Sequence, residues 1–202
     1  MIRGEFVVLC LLTVLGPSRA AGQDSVVYHV VPSSRFDVKT GKSGLFGFAG
    51  HSHVIRARAV TGQVVLHHGD VARSHVDLVV PTDSLEVMTP PDTAEIRKVT
   101  QSMRTDVLHV DQFPRMEFAS KEVTQMPGGY HLVLAVTMEG VTNDVPVDVG
   151  VEVTGDTLRA KGTFAVKQSD FGIKPYKGGP AGTVKVADKV TFDFEAVAVR
   201  DE

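Results

Sequence analysis

The sequence predicts one all-β domain of about eight antiparallel strands with one short amphipathic helix. Three observations carry this expectation. Apolar and polar residues alternate through most of the chain, at the period of two that half-buried strands require. Valine is abundant while aromatics are sparse, with ten Phe and no Trp, a composition that favours strands. The helical period appears in a single segment, and no interior linker among the 202 residues is long enough to divide domains.

The first twenty residues stand apart from this pattern. Arg3 opens a weakly positive start, 6–15 form an apolar core, and Gly16-Pro17 breaks it ahead of Ser18-Arg19-Ala20. That arrangement predicts a signal peptide over 1–20, cut near Ala20 and too short to span a membrane. A periplasmic or secreted location is the expectation. Cys10 lies inside the segment, so the mature domain, expected over 25–200, holds no cysteine and must rest on its own core. The net charge of −3 and the lack of a basic cluster argue against nucleic acid as a partner. No later stretch has the length of a membrane span, and the oligomeric state is left open.

The elements follow in order. Residues 26–31 are a β-rich run ended by Pro32. A long strand over 45–58 (LFGFAGHSHVIRAR) is interrupted by Gly47 and Gly50, where a bend or bulge is expected. Strands over 61–67 and 74–80 flank the turn chemistry of HHGDVAR. Then the period changes: Ile96, Val99 and Met103 recur at helical spacing, and Asp92 with Glu95 resembles a capping box, so a helix is predicted over 93–104. It should pack outside a sheet or across one end. The period of two returns over 115–123, with Met116 and Phe118 on one face.

Residues 130–151 (YHLVLAVTMEGVTNDVPVDVGV) organise the rest. Leu132, Leu134, Val136 and Met138 are apolar at even positions; after Glu139-Gly140 the apolar set moves to Val141, Val145, Val147, Val149 and Val151. A two-residue loop at Glu139-Gly140 pairs Met138 with Val141, Leu134 with Val145 and Leu132 with Val147, putting both sets on one face. Strands over 157–167 and 189–199 follow, separated by a Gly/Pro loop at 171–182. Eight twisted strands either close into a barrel or split into two packed layers. Small residues on the apolar faces, Ala160, Gly162, Ala196 and Ala198, suit a lumen that holds a ligand and equally suit a taper.

Three local runs resemble one family. MRTDVLHVDQFPRMEFAS (103–120) is similar to the YceI-like stretch in which an Arg-bearing helix end leads to an aromatic-Pro and a strand ending F-x-S. VTMEGVT (136–142) resembles that family's hairpin, and KQSDFGI (167–173) its D-F-G-I segment. The order of the runs is right from Tyr28 to Val199. The resemblance implies an extended, lipocalin-like antiparallel β-barrel, exported in bacteria, whose lumen takes polyisoprenoid chains or related amphiphiles. It implies no catalytic residues and requires no cofactor; the molecule held would be an isoprenoid or quinone-like lipid. GHSHVIRA (50–57) and the loop KPYKGGPAGTVK depart from the pattern, at positions that could reshape the mouth.

Candidate lumen residues are Phe46, Phe48, Phe118, Leu132, Leu134, Val136, Phe164 and Phe171. Arg104, Lys174 and Lys177 are candidates for meeting an anionic head group. His51 and His53 share a strand face and could hold one metal, with a third ligand from His67, His68, His75, His109 or a carboxylate; solvated polar side chains are the blander reading. The only thiol lies in the signal peptide, no G-x-S-x-G elbow exists, and KGGPAGTVK lacks the Gly-Lys-Ser/Thr ending of a phosphate loop. The expectation is therefore a lipid-binding barrel and not an enzyme. The alternatives are a metal-binding protein or metal-dependent enzyme using His51 and His53, and a filled-core interaction module.

Overall fold

The computed structural model describes residues 25–42, 52–88, 93–178 and 184–201; the 1–20 segment, Phe46, Phe48, His51 and Asp92 lie outside them. The strands are β1 (Ser25–Val30), β2 (Arg35–Lys42), β3 (Val54–Ala57), β4 (Thr61–His67), β5 (His75–Pro81), β6 (Leu85–Val87), β7 (Arg115–Met126), β8 (Gly129–Met138), β9 (Val141–Thr154), β10 (Thr157–Lys167), β11 (Lys177–Gly178) and β12 (Val184–Arg200). Helix α1 (Thr93–Ser102) runs into a π turn at Met103–Val107. Pairing in the order β1-β4-β5-β7-β8-β9-β10-β12, with β1 returning to β12, closes an eight-stranded antiparallel barrel. Closure leaves these strands without a free edge where they pair.

Of the remaining strands, β2, β3 and β6 continue three of those eight, and the short β11 pairs with β12. β1 and β2 both lie along β12, through Tyr28↔Arg200 and Phe36↔Phe194. β2 pairs with β3 and β3 with β6, as β1 pairs with β4 and β4 with β5. Three long strands are thus each broken near the middle, at 31–34, at 58–60 and at the 3-10 turn Thr82–Ser84. Of the expected strand over 45–58, only Val54–Ala57 is a strand among the described residues.

The 130–151 hairpin has the predicted register: Met138↔Val141, Leu134↔Val145 and Leu132↔Val147. Both loop residues take positive φ, Glu139 at 47° and Gly140 at 75°, the primed turn that matches strand twist. Helix α1 begins where its periodicity predicts, and it covers an edge. β5 pairs with β7, but β6, beyond the Thr82–Ser84 turn, pairs among the described residues with β3 alone. The Val87 N–H donates instead to Thr100 Oγ1 at 3.2 Å, and the Arg104 guanidinium donates to the Leu85 carbonyl at 2.9 and 3.2 Å. The helix thereby satisfies backbone groups that an uncovered edge would leave unpaired.

Inward side chains form two apolar clusters. The larger runs through Val87, Val136, Val147, Val149, Phe171 and Ile173. The smaller, Tyr28, Leu66, Leu158 and Ala198, lies at the end of the barrel away from α1. Outside the wall formed by β12, β2 and β3, Asp37 is buried at 5 % exposure among arginines. It accepts from Arg56 Nε and Nη2 at 2.7 and 2.8 Å and from Arg35 Nη1 at 2.9 Å, while Arg35 also reaches Asp193 at 2.8 Å. These donors hold the Asp37 carboxyl below the usual carboxylate range, the Arg56 fork first, against the opposing effect of burial.

Candidate ligand cavity

The barrel encloses a cavity of about 630 Å³, within the range of small-molecule sites. Alternation puts its wall together: residues at every second position of each strand face inward, so charged neighbours such as Arg35, Lys39 and Lys161 fall on the outer face. Most of the wall is aliphatic or aromatic. Phe164 and Phe192 stack with centroids 4.7 Å apart, Phe118 meets Phe192 edge-on at 6.2 Å, and Phe36 stacks on Phe194 at 6.2 Å. A Cβ at Gly162 would come within 2.8 Å of the Phe194 ring, so this glycine makes room for the aromatic across the strand pair.

Most polar wall residues gather at the α1 end, with Ser74, His75 and Tyr130 toward the other. Glu95, Lys98 and Ser102 come from the helix, Thr40 from the end of β2, His53 from the approach to β3, Gln168 and Tyr176 from the β10–β12 connection, and Lys185 from the start of β12. Gln168 is spent on the Ala187 carbonyl at 2.9 Å. Lys177 lies directly opposite Lys185 across the β11–β12 pair. Neither lysine makes an ion pair among the described residues, and like charges placed opposite one another are unfavourable unless an anion joins them. At the other end the Val71–Arg73 turn of the β4–β5 loop packs on β7.

Of the residues singled out from sequence, Phe118, Leu132, Leu134 and Phe164 stand on the cavity wall. Val136 and Phe171, 0 % and 1 % exposed, are packed into the larger cluster behind it. Arg104 holds the edge of β6, and Lys174 and Lys177 are exposed near the α1 end. Phe46, Phe48 and His51 lie outside the described residues. His53 is on the wall beside Thr40, whose Oγ1 accepts from the His53 N–H at 3.0 Å; no cluster of three metal-ligating side chains occurs among the described residues. His67 and His75 lie near one another at the β4–β5 end, and His109 donates to Glu139 at 2.8 Å.

Sequence reasoning missed Phe36, Phe192 and Phe194 as wall residues, and Lys98 and Lys185 at the rim. The signal for Phe36 was present: RFDVKT alternates strictly, but three charges in six residues hid a strand whose outer face is an ion network. Phe192 and Phe194 were visible as strand alternation, and only the pairing Phe192↔Val38 and Phe194↔Phe36 shows what they face.

Comparison with known proteins agrees with this architecture. The crystal structure of Burkholderia cenocepacia BcnA is similar with a TM-score of 0.67 and 18 % identity, over 82 % of this chain and 96 % of that one. A polyisoprenoid-binding domain from Saccharophagus degradans, implicated in plant cell wall breakdown, gives 0.62 at 11 % identity, over 87 % and 99 %. The Campylobacter jejuni YceI protein gives 0.56 at 13 %, over 73 % and 84 %. No curated protein matches the sequence. The YceI-like domain profile matches residues 31–198, and with that span of the barrel covered, the chain belongs to the YceI-like domain family.

Proposed function

We propose that this protein is an exported carrier that holds a polyisoprenoid or similar long amphiphile, tail inward and head at the α1 end. The observation that carries the reading is the wall itself: mostly aliphatic and aromatic, with its charged side chains and most of its polar ones at the α1 end. Burying about 15 methylenes at ~0.8 kcal/mol each gives on the order of 12 kcal/mol before ordering costs, so affinity needs no reacting group. The S. degradans domain, described as polyisoprenoid-binding, supports the same ligand class. Lys98, Lys177 and Lys185, with Lys174 beside them, supply donors for a polar or anionic head. The 1–20 pattern supports export, and no helix among the described residues is long and apolar enough to cross a membrane.

Native mass spectrometry on protein purified from the exported fraction without detergent tests the reading. A discrete adduct of prenyl or quinone-like mass, on a chain beginning just after Ala20, is expected. Bare protein that also fails to take up added farnesol or geranylgeraniol would overturn it, and a metal-sized adduct would redirect attention to His53.

A further inference from the structure

The barrel wall parts between β9 and β10. Toward the α1 end their last ladder pair among the described residues is Val149↔Gly162. Beyond it, 144–148 of β9 and 163–167 of β10 flank a slot, about 16 Å long at the strand rise of ~3.3 Å per residue. The pair Thr154↔Thr157 flanks a two-residue loop and is therefore hydrogen-bonded. Counting back by twos from Thr154, the backbone of Asp148, Pro146 and Asp144 faces β10. Pro146 has no N–H, so the middle of the slot lacks a donor and the ladder cannot close across it.

The 3-10 turn Gln168–Phe171 and the two residues after it lie against this parting. Phe171 and Ile173, 1 % and 3 % exposed, join one cluster with Val145, Val147 and Val166 from the two sides of the slot. The fastenings of the turn are polar and lie at the surface. The Asn143 side-chain amide donates to the Asp170 carbonyl at 2.8 Å. The Ser169 N–H and hydroxyl donate to the Asp188 carboxylate at 2.8 and 2.6 Å. Gly172, at φ 76°, turns the chain away, and five of the nine residues 174–182 are glycine or proline. A segment held by exposed hydrogen bonds, and not by a ladder, belongs to the class that opens without the sheet.

We propose that residues 168–173 are a latched plug, and that an apolar chain enters and leaves the barrel sideways through the β9–β10 slot when the plug lifts. The proposal rests on the carrier reading above and adds the route. Lifting the plug joins the slot to the mouth at the α1 end. The head group then stays in water while the tail passes between the strands, instead of threading the depth of the barrel. As long as the closed form dominates, loosening such a plug raises the rates of entry and exit in equal proportion and leaves the equilibrium constant unchanged.

Stopped-flow mixing with a fluorescent polyene fatty acid, cis-parinaric acid, tests this. Asn143→Ala and Ser169→Ala each remove one latch bond. Each should raise the association and dissociation rates about three- to tenfold at constant Kd. Thr100→Val, which frees the Val87 N–H from α1 instead, should leave both rates near those of the wild type. Circular dichroism identifies a variant that fails to fold, and hydrogen exchange in the wild type needs no variant. There the Gly172 and Ile173 amides should exchange far sooner than those of Val145 and Val147. Equal protection of the two groups, or unchanged rates in the folded latch variants, would overturn the side route while leaving the carrier reading intact. So would a Kd that moves with dissociation alone, or equal acceleration by Thr100→Val. A wild-type protein that takes up neither this probe nor farnesol would overturn both.

Discussion

The two halves of this barrel close in different ways. Strands β7, β8, β9 and β10 run unbroken for 12, 10, 14 and 11 residues, joined by tight turns. In the other half three strands break into β1 and β2, β3 and β4, β5 and β6, while β12 runs 17 residues unbroken along both β1 and β2. Even the unbroken side parts in one place, since β10 pairs with β9 only through Thr157–Gly162. A broken strand can re-aim: past the Thr82–Ser84 turn, β6 leaves the β7 side, and α1 fills the opening. At the α1 end the wall therefore parts in two places, where β6 leaves the β7 side and where β10 runs on past its pairing with β9. Removing what holds the broken half should loosen the mouth before it unfolds the barrel.

The largest such effect is expected at Asp37, which clasps β2 to β3 and β12 from outside. Asp37→Ala leaves Arg35 and Arg56 facing one another without their shared acceptor. Removing one partner of a buried pair costs about 3–5 kcal/mol, but both guanidinium groups are about one-third exposed and can rehydrate, so ~2 kcal/mol is expected. The same clasp predicts a pH dependence. The folded-state values of Asp37 and Asp193 lie below the ordinary range, held there chiefly by Arg56 and by Arg35 with Lys39 respectively. Their contribution is therefore fully present above about pH 4 and lost as the pH falls through the depressed folded values. Urea midpoints from neutral to acid pH should fall more steeply in the wild type than in Asp37→Asn; parallel curves would show that the clasp adds nothing.

A smaller and more local effect separates the halves directly. Val87 in β6 and Val147 in β9 are 1 % and 2 % exposed, so truncating either to alanine removes the same buried atoms. Each should cost ~2 kcal/mol at most. The responses should differ in place: Val147→Ala should raise hydrogen exchange across the barrel, and Val87→Ala chiefly in β3, β6 and α1. Identical exchange profiles for the two variants would mean that the barrel opens as one unit and that its broken half has no independence.

The same division decided what could be read in advance. The hairpin register of β8–β9 followed from one change of parity at Glu139-Gly140, because an unbroken two-sided strand must repeat every second residue. In the broken half the rule lasts too few residues to be visible. β6 has three residues and no period of its own; β2 alternates, but the charges of Arg35, Asp37 and Lys39 make sense as a strand face only with Arg56 and Asp193 beside them. The cavity was partly legible: Phe118, Leu132, Leu134 and Phe164 lie on its wall by alternation alone. Val136 shows the limit of that reasoning, since alternation gives the side of a strand and not whether a neighbour fills the space in front of it.

The smallest effect concerns the link between the β8–β9 turn and the segment that follows α1. His109 and Glu139 are the only non-glycine residues with positive φ among the described ones, at 42° and 47°, and the His109 ring donates to the Glu139 carboxylate at 2.8 Å. A positive φ disfavours glutamate, whereas asparagine is the preferred residue at the first position of this turn. Glu139→Asn should therefore gain a few tenths of a kcal/mol in the turn and lose a similar amount from the shortened link, ending near neutral. In a His109→Ala background only the gain remains, so there the same substitution should be stabilising by about 0.5 kcal/mol. The thermal midpoints of the four proteins measure this coupling. Equal effects of Glu139→Asn in both backgrounds would show that the contact contributes nothing to the junction, and that two strained residues meet there for reasons of chain path alone.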